Sequence, residues 1–218
     1  GSGGVMLPNH APLVVAEQFA LLEAAFPGRV DLGIGRAPGT DQVTAWALRS
    51  GAGGVEADAV DRFPDHVDHV LAMMSPAGAA LRLGSGEHVL RATPHATSVP
   101  MIWLLGSSDF SARLAASRGL PYVFAHHFSG RGTAEALALY REGYQPSPEH
   151  PEPRTFLTVN VVVAPTQAQA QRLVQPMVRT MVALRTGQPL MPQETDEEAE
   201  ARGVMVAHQR LADGMRSR

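Results

Sequence analysis

The chain has 218 residues, long enough for one domain with a substantial core, and 44% hydrophobic with 18% charged residues is the balance of a folded globular protein. The formal net charge of -3 leaves no electrostatic footprint for nucleic acid or an anionic membrane, and no apolar run approaches the roughly 20 residues that span a bilayer. There is no cysteine and all 18 basic residues are arginine, which excludes disulfides, thiolate metal sites, thiol nucleophiles, Schiff bases and a P-loop lysine.

Any anion bound by this sequence is therefore held by arginine, hydroxyls or backbone N–H groups. Gly1-Ser2-Gly3-Gly4 has none of the charge-then-apolar pattern of a secretory signal, so a cytoplasmic location is the default expectation. The 17 prolines and 21 glycines are scattered rather than gathered into a linker, and a single domain over 1–218 is expected.

Short β-rich runs alternate with amphipathic helices, the pattern of βα units around a parallel sheet. Gly3 to Leu7 reads as a strand, and Pro12 opens a helix whose Val15, Phe19, Leu22 and Phe26 form one buried stripe. Val30 to Ile34 is the next strand, ending in Gly35-Arg36-Ala37-Pro38-Gly39. The loop from Arg49 to Val60 carries no readable specificity. Asp58 to Met74 reads as a helix with a break or late start at Pro64. Residues 80–94 read as a hairpin outside the parallel set. Met101 to Leu105 is an apolar strand, with Trp103 as core, followed by Gly106-Ser107-Ser108-Asp109 and a helix to Arg118. Tyr122 to Ala125 is a strand, Thr133 to Tyr140 a helix and Thr155 to Val163 a fifth strand. Thr166 caps a long helix to about Arg185, and a polar helical tail fills 186–218.

Two strand ends carry chemistry. After the strand at 101–105, small residues lead into a helix whose first N–H groups lack partners, and those donors with the helix dipole attract an anion. Ser107, Ser108 and Ser111 can add hydroxyls, while simple N-capping by Ser107, Ser108 or Asp109 is the plainer alternative. Arg36 follows the strand at 30–34, where a guanidinium suits phosphate; its alternative is an ion pair with Asp31 or Asp41. The glycines there read GxGxxxG, a poor match to the dinucleotide fingerprint. His10 and His126-His127 follow strands too, and neighbouring strand residues point to opposite faces, so either could serve as acid, base or positioning group. His66 and His69, with Asp65 and Asp68, have the spacing of a metal face, but a solvated helix face explains them as well, and no metal is expected.

Three blocks carry a family resemblance: Gly1 to His10, Pro27 to Arg36, and Leu105 to Ser111 running on to Gly119-Leu120-Pro121. Together they resemble the bacterial-luciferase-like flavin monooxygenases over about residues 1–185. The resemblance implies an α/β fold, a TIM (β/α)₈ barrel, here incomplete because about three of its strands have no counterpart. It implies that Arg36, Ser107, Ser108 and Ser111, with N–H groups of Asp109 and Phe110, bind the FMN phosphate. Gly35, Ala125 and His126 would line the flavin pocket, and Gly3-Gly4 would form a non-prolyl cis peptide beside the ring. The catalytic residue stays open between His10 and His126. The implied activity is oxygenation of a small organic substrate with reduced FMN and O₂, the flavin coming from a separate reductase; a homodimer is compatible. A deazaflavin-dependent oxidoreductase of the same fold, a non-catalytic fragment or partner subunit, and an unrelated sugar-phosphate barrel enzyme are the alternatives.

Overall fold

A computed structural model describes residues 1–50 and 58–216; most of the Arg49–Val60 loop lies outside them. The chain divides into two units, Gly1–Gly39 with Val43–Thr158, and Thr40–Gln42 with Val159–Arg218.

In the first unit β1 (Val5–Met6) passes through a 3₁₀ turn at Leu7–Asn9 into α1 (Pro12–Ala25), opened by a proline whose missing N–H would have had no helical partner. β2 (Asp31–Gly35), α2 (Gln42–Ser50) and α3 (Phe63–Met74) follow. Pro64 lies in the first turn of α3, so it delays the helix rather than breaking it. β3 (Ala79–Leu83) and β4 (Gly86–Leu90) form the expected antiparallel hairpin. Then come β5 (Met101–Gly106), α4 (Asp109–Ser117), β6 (Tyr122–Phe124), the single turn α5 (His126–Ser129) and α6 (Thr133–Glu142).

Among the described residues, one sheet has the order β1-β2-β5-β6 with every pair parallel. Strands added in sequence order, through crossovers of one hand, place their helices on one face. The burial agrees. Leu32, Ile34, Ile102, Leu104, Tyr122 and Phe124 enter a single core with Val15 and Phe19 of α1, Val67 and Val70 of α3, and Ala112 and Ala115 of α4. The alternate residues of β5, Met101, Trp103 and Leu105, are only half-buried. Trp103, read from the sequence as core, is instead half-buried and lies edge-on to Phe156 with ring centroids 5.0 Å apart. A doubly wound sheet would reverse its strand order and cover both faces; this sheet is an arc of a (β/α) barrel.

Three further sequence expectations are corrected. Leu22 and Phe26 are exposed, and the stripe of α1 passes instead through Ala16, Ala20 and the fully buried Glu23. The Glu23 carboxylate accepts from Gly28 N at 2.7 Å and from Ser98 Oγ, closing the end of the helix in place of an apolar contact. Thr155 to Val163 forms no strand. Thr158 Oγ1 donates to Phe124 O at 3.2 Å, and just before the segment Arg154 O accepts from Tyr122 N at 3.0 Å, but no ladder with β6 forms. Alternating apolar residues favour a strand only where a ladder and a buried face await them, and Phe156 and Leu157 are more than half exposed.

The third correction lies in the second unit. The helix capped by Thr166, whose hydroxyl accepts from Gln169 N, is α7 (Gln167–Leu173), and α8 (Gln175–Thr186) begins anew after Val174. Pro176 lies in the first turn of α8 and cannot donate back across the junction. α9 (Asp196–Arg202), held by a Thr195–Glu198 capping box, and α10 (Gln209–Arg216) follow, and Val178, Val182 and Ala212 form a small core.

Candidate functional site

Register decides which loops meet. Met6 pairs with Gly35, Gly35 with Leu105, and Gly106 with Phe124. Arg36, Ser107-Ser108 and Ala125-His126 therefore leave the sheet at one edge, the C-terminal ends of its strands. The Arg36 guanidinium lies over the Phe110 ring, 4.0 Å from its centroid, and the residue is half-buried. Among the described residues it has neither an ion pair nor a hydrogen bond, so the alternative pairing with Asp31 or Asp41 does not form.

Phe110 stands in the first turn of α4. The N-cap, Ser108, is extended at φ -139 and ψ 165 and makes no side-chain capping bond, so the plain capping alternative is not formed either. The Asp109 carboxylate turns along the helix, 3.8 Å from Arg113 Nε, with both side chains exposed. Ser107 and Ser108 are exposed, whereas Ser111 is 3% exposed and packs under the turn. A Cβ at Gly106 would come within 2.6 Å of the Ser111 Cβ, which is why the strand ends on glycine. Beneath lies Tyr122, whose hydroxyl is 3.4 Å from both Gly106 O and Ser108 O as a long, weak donor. Burial first, and the Asp109 charge second, push its ionisation upward, so it remains a neutral phenol.

The remaining candidates divide. Ala125 N donates to Gly106 O at 2.9 Å, which binds the β6 exit to the serine turn. His126 begins α5 rather than extending a strand, so alternation does not apply to it or His127. Its Nδ1 is 2.8 Å from Thr133 Oγ1, and His127 Nδ1 is 2.8 Å from Thr158 Oγ1. His10 is exposed. Its neighbour Asn9, which the spacing of strand-end residues does not single out, is 4% exposed and bonded on both sides of its amide. Gly3 and Gly4 run beside the earlier part of β2 rather than at the edge, and their peptide is trans. Ser2 N donates to Asp31 O at 3.2 Å, and Ser2 Oγ both donates to Gly33 O and accepts from Gly33 N.

The suggested metal face does not assemble: Asp68 receives Arg118 in a two-pronged pair at 2.9 and 2.8 Å, and His66 is buried in the core layer rather than solvated. No group of three candidate metal ligands exists among the described residues, and no helix among them is long and apolar enough to cross a membrane.

Comparison with known proteins gives the lineage. The profile of the luciferase-like monooxygenase family matches residues 1–217. A luciferase-like monooxygenase of Escherichia coli K12 is 42% identical over 86% of this chain and 53% of its own length. The crystal structure of apo-MsnO8 superposes at a TM-score of 0.72 with 34% identity, covering 93% of this chain and 56% of that one. Two more distant structures share the fold. One is the FMN complex of the oxygenating constituent of 3,6-diketocamphane monooxygenase from Pseudomonas putida (TM-score 0.56, 17% identity, 98% of this chain and 57% of that one). The other is an F420-dependent secondary alcohol dehydrogenase (TM-score 0.53, 16% identity, 94% and 60%). The chain spans about half the length of the curated relatives it matches. A sequence profile matched along nearly the whole chain and a one-sided parallel sheet agree, and the chain belongs to the luciferase-like monooxygenase family.

Proposed function

We propose that this chain binds FMN through its phosphate at the junction of Arg36 and the start of α4, and serves a monooxygenase that uses reduced flavin and O₂ on a small organic substrate. One observation carries the reading: a guanidinium without a carboxylate partner is stacked on Phe110, in the first turn of a helix whose N–H groups have no side-chain cap.

The donor set fits a phosphate. Arginine stays charged at all working pH values, and its planar fork matches two phosphate oxygens. N–H groups of Asp109, Phe110 and Ser111 are the partnerless donors of the first turn, and the exposed hydroxyls of Ser107 and Ser108 flank them. Asp109 contributes through its backbone, since its carboxylate is turned toward Arg113. Bound FMN supplies the redox chemistry with O₂, while the chain binds, orients and excludes water. Gly35, Ala125 and His126, on the same strand edge, are the residues proposed to border the ring. His126 has Nδ1 engaged by Thr133, which leaves Nε2 as the nitrogen able to exchange a proton; exposed His10 is the other candidate.

Titration of FMN against the purified chain, followed by quenching of flavin fluorescence, tests this. Saturable binding, weakened at least ~10-fold by Arg36→Ala, a loss of about 1.4 kcal/mol, is the expected result. Absence of saturable binding removes the proposal and favours a non-catalytic role. The F420-dependent dehydrogenase of the same fold supports a second reading, in which a deazaflavin takes this place. Preferential binding of F420 over FMN in competition would select it. Binding of inorganic phosphate or a sugar phosphate without any flavin quenching would move the chain out of flavin chemistry.

A further inference from the structure

We infer that Asn9 is the positioning residue of the phosphate-binding arm, holding Arg36 in place through Pro38 and tying that loop to α2 through Arg49. The inference rests on the FMN reading. Asn9 ends the 3₁₀ turn after β1 and is 4% exposed. Its Nδ2 donates to Pro38 O at 2.9 Å, and its Oδ1 accepts from Arg49 Nε at 3.2 Å. One neutral amide thus satisfies a loop carbonyl and a helix guanidinium at once. An ionised carboxylate is acceptor-only and cannot copy that donor–acceptor pair.

The attachment point makes the bond effective at Arg36. Proline has no N–H, so the carbonyl is the backbone handle of residue 38, and its ring fixes φ there. It also confines Ala37 to extended backbone. A restraint on Pro38 O therefore passes back through two stiff residues to Arg36 instead of dissipating in a flexible loop. Beyond Pro38 the chain reverses at Gly39, with φ +65, against Met6. Such a conformation suits glycine and closes the loop over β1. Without Asn9, the loop keeps its turn but loses the bond that fixes its depth over Phe110.

The test compares FMN with riboflavin, which has the same ring and no phosphate, on the full chain and on Asn9→Asp and Arg49→Met. Asn9→Asp keeps the acceptor toward Arg49 and removes the donor to Pro38. Arg49→Met leaves Asn9 in place but removes its anchor, and covers the case in which the first variant does not fold. Both variants are expected to weaken FMN binding about 5-fold or more, the scale of one lost hydrogen bond, while riboflavin affinity stays unchanged. Unchanged FMN affinity in the folded variants overturns the inference, as does a parallel fall for FMN and riboflavin, which marks a general structural role. If the parent chain binds no FMN, the flavin reading falls and takes this inference with it. If the parent binds and the variants match it, only the role of Asn9 falls.

Discussion

A guanidinium held against a ring face keeps its whole charge for a ligand, whereas one paired with a carboxylate has already spent it. That difference separates Arg36, 4.0 Å above Phe110, from Arg118, locked to Asp68. The Phe110 ring is thus part of the candidate site. Its face attracts the cation by about 0.5–1 kcal/mol at an exposed position, so Phe110→Leu should weaken FMN binding roughly 2- to 5-fold in the fluorescence titration. An equal or tighter affinity would show that the stacking does not position Arg36. Gly106→Ala is a different kind of change, because the new methyl meets Ser111 beneath the turn. It should cost about 1–3 kcal/mol by chemical denaturation, and a neutral result would mean that the turn and α4 separate freely. Arg36 and the serine turn can be read from sequence, because each ends an apolar run at the place where barrel strands expose ligands. The ring of Phe110, as distinct from its N–H, cannot, and neither can Asn9. The ring's role depends on a stacking distance, and the 3₁₀ turn buries Asn9 while sending the more conspicuous His10 to the surface.

At the scale of elements, an aromatic cluster fastens α6 and the segment that follows it. Tyr140 is fully buried, with ring centroids 5.4 Å from Tyr122 and 5.5 Å from Tyr144. Its hydroxyl donates to Leu120 O at 2.9 Å and accepts from Arg154 N at 3.1 Å. Tyr140→Phe leaves both partners short of a bond and should cost about 1–3 kcal/mol in the unfolding free energy. Burial above all pushes the Tyr140 ionisation up to about 12, partly countered by the Arg154 backbone bond. A raised folded-state value means that the folded chain holds its proton longer than the unfolded one. This contribution is therefore complete below about pH 10 and is lost as the pH rises toward 12. Denaturation midpoints should fall over that window in the parent and fall less in Tyr140→Phe; identical slopes would contradict the assignment. The elements legible in sequence were those with a local cause: Pro12 and Pro64 in first turns, Thr166 as a cap, Gly84-Ser85 between β3 and β4. Thr155 to Val163 misleads because its alternation is real while its pairing is decided by neighbours that lie far away in sequence. The junction at Val174 was present as Pro176 but concealed by continuous helical periodicity on either side.

For the molecule as a whole, strand order carries more than strand content. Four parallel strands in the order β1-β2-β5-β6, with one helix-covered face, distinguish a barrel arc from a doubly wound sheet. The sequence announces alternating βα units but not that order, which comes from crossover handedness and from the register that brings Gly35 opposite Leu105. The same register makes Arg36 and the start of α4 neighbours, and the proposed phosphate site depends on it. A crystal structure of the chain grown with FMN measures this directly. The expected result is phosphate density within hydrogen-bonding distance of the Arg36 guanidinium and of the N–H groups of Asp109 to Ser111. Flavin bound with its phosphate elsewhere, and Arg36 still resting alone on Phe110, would contradict it.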